Sequence, residues 1–313
     1  MYKVFIDGQE GTTGLRIYER LEKRSDIEIL RISETRRKSP TERKKFINAS
    51  DITFLCLPDE SAIEAVSLCD NPNTKIIDAS TAHRTDPNWA YGLPELSLKH
   101  RQNIIRSKRV AVPGCYATGF VSLVYPMITA NVLESHYPVF AYGISGYSGG
   151  GKNRIKQYES PHKPYDFYSP MLYSLNLEHK HIPEMKLMSG LAYNPMFSPV
   201  IDDYYNGMLV CIPLHSRLLR RKTSVEDIKN VYRKHYANQK FISVLDNVSD
   251  DKQFPHFAAN LLADTNYLEI AVFGNSEQFM LVSRLDNLGK GASGAAVQCM
   301  NIMLGIEETY SLL

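Results

Sequence analysis

From Met1 to Val112 the chain alternates short apolar runs with amphipathic stretches. The runs Tyr2–Ile6, Ile27–Ile32, Ile52–Leu57, Lys75–Ala79 and Arg109–Val112 have the length and β-branched content of strands. Between them, Leu15, Ile17, Tyr18 and Leu21 recur at helical spacing, and Ser61–Cys69 reads as a second helix. Strands alternating with helices predict a doubly wound, Rossmann-like α/β domain over residues 1–115. Beyond Cys115 the texture changes. The runs Val139–Ser145, Met208–Leu214, Phe241–Leu245, Leu268–Phe273 and Phe279–Arg284 predict a second, α+β domain with an antiparallel or mixed sheet. One helix there is signalled by a capping box, Thr223 with Glu226, ahead of Val225, Ile228, Val231 and Tyr232. Ser160–Pro170, rich in proline and tyrosine, reads as a long loop.

Composition narrows the function class. With 36 Lys and Arg against 34 Asp and Glu, the net charge is +2, which leaves no electrostatic footprint for nucleic acid or a membrane surface. No apolar stretch approaches the ~18 residues of a membrane span. The chain enters a strand within two residues of Met1, leaving no room for a signal peptide, so a cytoplasmic location is expected. Cysteines stand at 56, 69, 115, 211 and 299, an odd count with no CxxC pair and no His-Cys metal spacing, so free thiols and no metal are expected.

The first strand runs into Asp7-Gly8-Gln9-Glu10-Gly11-Thr12-Thr13-Gly14 and then a helix, the order a dinucleotide site requires. Gly8 suits the tight turn, Gly11 the approach of a pyrophosphate to the backbone, and Gly14 helix-to-strand packing. The spacing GxxGxxG departs from GxGxxG, and glycine turns also occur for steric reasons alone. After the second strand, where an NAD site usually carries an acidic residue, stands Ser33-Glu34-Thr35-Arg36-Arg37-Lys38. A hydroxyl beside guanidinium donors suits a 2′-phosphate, so Ser33, Arg36 and Arg37 point to NADP, with a solvated loop as the alternative.

Cys115 lies where the strand Arg109–Val112 turns through Pro113-Gly114 into a helix beginning near Tyr116. A helix N-terminus stabilises a thiolate and can hold an oxyanion on its unpaired N–H groups, so Cys115 is a candidate nucleophile. A buried apolar cysteine is the competing reading. A proton partner is offered by Glu178-His179-Lys180-His181-Ile182-Pro183-Glu184. In extended backbone His179 and His181 project to one side, and Pro183 favours extended geometry before it. One imidazole would move protons while Glu184 sets its tautomer or holds substrate. Surface histidines and a zinc site compete, but nothing nearby supplies further ligands. Arg84, at the end of a strand, would bind a phosphoryl group, or else pair with Asp86. The segment Ser145-Gly146-Tyr147-Ser148-Gly149-Gly150-Gly151-Lys152 mixes hydroxyl, backbone and ammonium donors suited to an anion cradle, with a hairpin turn as the alternative.

Taken together, the motifs GQEGTTG (8–14), LPDESAIEA (57–65), DASTAHR (78–84), VPGCYATG (112–119), SGYSGGGK (145–152), EHKHIPEM (178–185) and NLGKGASGAAVQ (287–298) resemble the short form of the N-acetyl-γ-glutamyl-phosphate reductase family, in the aspartate-semialdehyde dehydrogenase-like group. The likeness runs nearly end to end. It implies NADPH-dependent reduction of N-acetyl-L-glutamyl 5-phosphate to the 5-semialdehyde and phosphate through a Cys115 thioester, with His181 or His179 as acid/base. It also implies substrate contacts from Arg84, Ser145, Ser148, Gly149, Lys152 and Glu184. Cofactor contacts would come from Gly8, Gly11, Thr12, Thr13, Gly14, Ser33, Arg36, Arg37, Ser80, Asn287, Gly289 and Lys290. By the same likeness residues 289–313 complete the NADP domain, 116–288 form the catalytic and oligomerisation domain, and the assembly is a homodimer or homotetramer. Three rival readings stand beside it: an aspartate-semialdehyde or aminoadipate-pathway reductase, which keeps Cys115 and NADP and changes the substrate pocket; a hydrolase or acyltransferase that uses Cys115 and His181 without nicotinamide; and a non-catalytic nucleotide-binding sensor.

Overall fold

The computed structural model describes residues 1–246 and 255–313. In chain order its elements are β1 (Tyr2–Asp7), α1 (Thr12–Leu21), β2 (Ile27–Leu30), α2 (Pro40–Ala49), β3 (Ile52–Leu55), α3 (Asp59–Ser67), β4 (Lys75–Asp78), β5 (Ala90–Tyr91), α4 (Leu98–Arg106) and β6 (Arg109–Ala111). They continue as α5 (Cys115–Thr129), β7 (Phe140–Gly146), α6 (Gly151–Tyr158), β8 (Met171–Leu172), α7 (Ile182–Ser189), β9 (Met196–Asp202), β10 (Met208–His215), α8 (Val225–His235), β11 (Ile242–Val244), β12 (Leu268–Gly274), β13 (Gln278–Leu285) and α9 (Gly294–Leu304). Two units result. Met1–Gly114 joins Ala292–Leu313 in one, and Cys115–Gly291 forms the other.

The first unit is built on a parallel sheet in the order β2-β1-β3-β4-β6-β5. Its central strands are apolar runs because both faces are covered: all four residues of β3 are buried. Helix α9 packs against α1, α4 and β4 and is buried from Gly294 to Met303. Its polar side chains find partners inside this unit. Gln298 donates to Glu95 at 2.8 Å, and the Asn301 carbonyl oxygen accepts from Arg24 at 2.7 Å. Helix α2 escaped the periodicity argument because Pro40–Ala49 buries only Arg43 and Ile47. Its local signal is Ser39 as N-cap followed by Pro40.

The second unit carries a mixed sheet in the order β11-β12-β13-β10-β7-β9-β8. β7 and β9 run parallel, as do β11 and β12, and the remaining pairs are antiparallel. Strand β9 was not expected, because Pro199 in its middle argues against a strand. The predicted long loop contains a 3₁₀ turn, Tyr165–Tyr168, and then β8. Helix α5 packs on β10 and β13, and α8 packs on α5, β11 and β12. Close approach of α5 needs Gly119, where a Cβ would come within 2.5 Å of Ser283 Oγ. Pro126 inside α5 removes the amide that would bond the Ser122 carbonyl, and Tyr236, at the C-terminal end of α8, donates its hydroxyl there at 2.7 Å. The capping box of α8 sits one residue later than expected. Ser224 accepts from the Asp227 amide at 3.1 Å while Asp227 accepts from the Ser224 amide at 2.9 Å. Thr223 donates to the Arg221 carbonyl instead, and serine outranks threonine as a cap.

Candidate active site

Cys115 is the first residue of the second unit and the first of α5. A glycine guards its approach: a Cβ on Gly291 would lie 2.7 Å from Cys115 Cβ, so only glycine leaves the sulfur-bearing residue in place. The next residue, Tyr116, is buried and donates its hydroxyl to the Val200 carbonyl at 3.1 Å. Its ring fits because Gly143 on β7 has no side chain to collide with it. Burial first, and then the neighbouring Tyr173 and Cys115 charges, hold the Tyr116 phenol well above its ordinary pKa. Tyr116 therefore stays protonated and acts as a wall. Tyr173 is pushed up in the same way, by burial and by Cys115.

The histidines meet this wall. His179 lies edge-on to Tyr116 at 5.7 Å, to Tyr173 at 5.8 Å and to Phe197 at 5.3 Å between ring centres. His181 is 4.7 Å from His179 and 6.2 Å from Tyr116. Both are buried, as is Glu184. The expected extended backbone is corrected here, since His181 is the N-cap of α7 with φ −86° and ψ −9°. Pro183 sits in the first helical turn, where its missing amide costs nothing, and that outweighs the pre-proline preference. The pair still converges because the turn folds back: the His181 amide donates to His179 Nδ1 at 3.1 Å. An accepting Nδ1 places the proton of neutral His179 on Nε2. Helix α7 packs against α5, so the two N-terminal ends that carry His181 and Cys115 belong to neighbouring helices. Among the described residues no cluster of His, Cys, Asp and Glu could hold a metal.

In the first unit the glycine turn follows β1. Gly8 has φ +87°, and a Cβ there would run into the Cys56 carbonyl. A Cβ on Gly14 would lie 2.5 Å from the Gly8 carbonyl oxygen. Gly11 differs, since its Cβ would meet the Gly8 carbonyl at 3.2 Å and nothing closer. Helix α1 starts at Thr12 and Thr13 with Gly11 as N-cap and no side chain capping it, leaving first-turn N–H groups for an anion. Three residues beyond β2 the chain forms nested turns, with Arg36 N–H on the Ser33 carbonyl and Ser39 N–H on the Arg36 carbonyl. Arg36 and Arg37 are exposed there, and the Arg36 guanidinium is 3.6 Å from Glu42.

The other predicted residues differ in how far the framework engages them. Arg84 is buried and donates to the carbonyls of Val112 at 2.8 Å and Ala79 at 3.0 Å. Ser80 donates to Asp78 at 2.7 Å, and the same carboxylate takes His83 Nδ1 at 2.6 Å, with His83 stacked on Trp89. The segment Ser145–Lys152 is neither a hairpin nor an open loop: it ends β7, makes one 3₁₀ turn and starts α6. Ser148 is buried, donates to Asn206 at 2.7 Å and accepts from Asn287 at 2.8 Å. Gly149 abuts Asn287 and Ser145, whose hydroxyl donates to the Gly146 carbonyl. Lys152 is exposed on α6. Gly289 donates to Asp286, and Lys290 is buried with its ammonium 5.5 Å from the Phe241 ring centre. The aromatic box of Tyr116, Tyr173 and Phe197 escaped the sequence reading. Only the adjacency of Tyr116 to Cys115 could have signalled it.

Comparison with known proteins matches residues 3–104 to the semialdehyde dehydrogenase NAD binding domain and 115–287 to the semialdehyde dehydrogenase dimerisation domain. N-acetyl-gamma-glutamyl-phosphate reductase 2 of Nostoc sp. is 45% identical over 318 residues, covering 99% of both chains. The enzyme of the same name from Pseudomonas putida is 44% identical, covering 98% of both. Among solved structures, aspartate semialdehyde dehydrogenase from Francisella tularensis superposes with a TM-score of 0.74 at 15% identity, over 97% of this chain and 100% of that one, which speaks for the fold. With full-length identity at this level and both halves matched in order, the chain belongs to the N-acetyl-gamma-glutamyl-phosphate reductase family of the semialdehyde dehydrogenases.

Proposed function

We propose that this protein reduces N-acetyl-L-glutamyl 5-phosphate to N-acetyl-L-glutamate 5-semialdehyde and phosphate with NADPH, a step of arginine biosynthesis. The observation that carries the reading is Cys115 at the head of α5, followed directly by Tyr116, whose ring meets two buried histidines joined by the hydrogen bond from the His181 amide to His179 Nδ1. In the family whose two domains match this chain, that arrangement supports acyl transfer to sulfur.

Cys115 Sγ attacks the acyl phosphate carbon, the C–O bond to phosphate breaks, and a thioester forms. The field of the α5 N-terminus favours the anionic sulfur and the oxyanion beside it. NADPH, when bound, supplies the hydride that takes the thioester to the aldehyde level. His181 donates a proton to the thioester oxygen as the hydride arrives, giving the thiohemiacetal, and takes it back as the C–S bond breaks, returning Cys115 to its starting state. His179 positions His181, since its Nδ1 holds the His181 amide. Arg84 and Lys152 are the cations proposed to meet the substrate's anionic groups. A homodimer or homotetramer in the cytoplasm is the expected assembly and location, and no described helix is long and apolar enough to cross a membrane.

The first unit fits the dinucleotide. Gly8 and Gly14 are glycines because the chain's own carbonyls would lie within 2.5 Å of a Cβ, whereas at Gly11 a Cβ would meet the Gly8 carbonyl at 3.2 Å, a tight contact that a small shift relieves. Together with the uncapped α1 this is a cradle for pyrophosphate, and Ser33, Arg36 and Arg37 are the proposed 2′-phosphate donors. Gly11→Ala is expected to fold at a small cost in stability, since the methyl presses on the Gly8 carbonyl, and to raise the KM for NADPH about tenfold or more, because the methyl occupies the approach path. Steady-state kinetics beside a melting curve check this. A variant that loses stability but keeps its KM would mean that Gly11 serves the turn alone.

The reading as a whole is tested by phosphate-dependent reduction of NADP, followed by absorbance, with N-acetylglutamate, aspartate and N-acetylaminoadipate semialdehydes in parallel. Preference for the acetylglutamate compound is expected. Turnover of aspartate semialdehyde alone would move the chain to the sibling activity, and no change in nicotinamide absorbance with any of them would end the reductase reading.

A further inference from the structure

Between the glycine turn and the Ser33–Ser39 loop lies a buried ion cluster that the reaction does not use. Arg43, on α2, is 5% exposed. Its Nε donates to Asp7 at 2.9 Å, its Nη1 to Glu64 at 2.5 Å, and its Nη2 to the Ser61 carbonyl at 3.1 Å. Asp7 ends β1 and immediately precedes Gly8, while Ser61 and Glu64 belong to α3. One guanidinium therefore ties three elements together.

What it holds follows from which end of α2 is held otherwise. That helix buries only Arg43 and Ile47, with Phe46 partly covered and stacked on Phe5 at 5.5 Å. The C-terminal end of the helix is pinned by Asn48, which donates to the Leu68 carbonyl and accepts from the Asp70 and Asn71 amides, whereas in the half that adjoins the loop Arg43 is the one buried side chain and its planar three-way fork sets the height and angle of that end. The start of α2 carries that constraint back into the loop, because Ser39 caps the helix and its amide bonds the Arg36 carbonyl, as the Arg36 amide bonds that of Ser33. Arg43 is committed within the cluster and buried, so it does not itself reach for a ligand. Burial pushes the Asp7 carboxyl above its usual range while the Arg43 guanidinium works against that, so removal of Arg43 leaves a buried acid uncompensated.

We infer that Arg43 is the positioning residue for coenzyme selectivity: through Asp7 and Glu64 it fixes the Ser33–Ser39 loop relative to the glycine turn. The inference rests on the NADPH reading above. Lysine cannot reproduce the fork, and Glu64→Gln removes one charge from a half-exposed arm of it.

The test is equilibrium binding of NADPH and NADH, read by nicotinamide fluorescence, with 2′,5′-ADP as competitor, in wild type, Arg43→Lys and Glu64→Gln. Arg43→Lys is expected to weaken NADPH and 2′,5′-ADP about tenfold and NADH less than about twofold, since only the phosphate loop loses its register. Glu64→Gln should move the same ratio about threefold and settles the matter if the lysine variant does not fold. Equal loss of both coenzymes, or no loss, would overturn the inference and leave Arg43 a plain stabilising residue. A wild type that binds NADH as tightly as NADPH overturns the phosphate-loop reading as well. A wild-type preference that survives both variants overturns the Arg43 inference alone.

Discussion

Cys115→Ser is expected to lower kcat by about four orders of magnitude or more while leaving the fold and NADPH affinity unchanged. The other four thiols are poor substitutes for it. Burial, with the Asp78 and Asp7 carboxylates nearby, pushes the Cys56 thiol far up, and burial pushes Cys211 up to about 11. Cys299 is buried and donates to the Gly92 carbonyl, and Cys69 donates to the Asn71 carbonyl while accepting from Arg109. A neutral, desolvated thiol is a weak nucleophile, so Cys56 and Cys211 cannot rescue the variant, and Cys69 and Cys299 have their S–H groups committed to backbone carbonyls. Cys115 alone heads a helix, beside a glycine that keeps its approach open. Serine keeps the shape and loses the nucleophile, because a hydroxyl does not ionise near neutral pH without a strong base. NADPH oxidation in wild type and variant reads the rate, and iodoacetamide labelling followed by peptide mapping reads the sulfur. Label carried mainly by another cysteine, or turnover that survives in the serine variant, would remove Cys115 from the chemistry.

Much of the first unit was legible because its strands are buried on both faces. Ile52–Leu55 and Lys75–Asp78 are apolar runs bounded by turn residues, and few alternatives fit them. Elements that escaped are those held by something other than an apolar stripe. Helix α2 is fixed by an arginine fork, β9 has a proline at its centre, and α7 hides behind Pro183, which reads equally as a breaker or as a helix start. Local rules also fail by one residue where two neighbours compete for one role, as Thr223 and Ser224 do for the cap.

For the candidate site, residue types were legible and their division of labour was not. Cysteine, histidine and glycine motifs announce themselves at any position in the chain. Which serine faces a ligand and which is consumed inside depends on partners far away in sequence. Ser148 illustrates this, being satisfied by Asn206 and Asn287 from two distant loops. Tyr116 is the converse case. Nothing in its type marks it as the ring that meets both His179 and His181, because its placement depends on Gly143 leaving a hole on a strand 27 residues further along the chain.

His181→Gln is expected to lower kcat between about 10²- and 10⁴-fold, whereas His179→Asn loses far less. The asymmetry comes from what each ring already does. His179 is walled by Tyr116, Tyr173 and Phe197, and its Nδ1 accepts the His181 amide. An asparagine carbonyl can occupy the place of that nitrogen and keep the hydrogen bond. His181 heads α7, the helix packed on α5, and has ring contacts with His179 and Tyr116. On the proposed mechanism a proton carrier is needed only once sulfur has attacked, since the helix N-terminus, and not a base, is what favours the thiolate there. The His181→Gln enzyme should therefore release phosphate in a burst equal to the enzyme present and then stall, with the acyl thioester visible on Cys115 by mass spectrometry. Loss of the burst together with turnover would instead make His181 the base that ionises Cys115. Near-normal turnover in His181→Gln, with a severe defect in His179→Asn, would reverse the two roles.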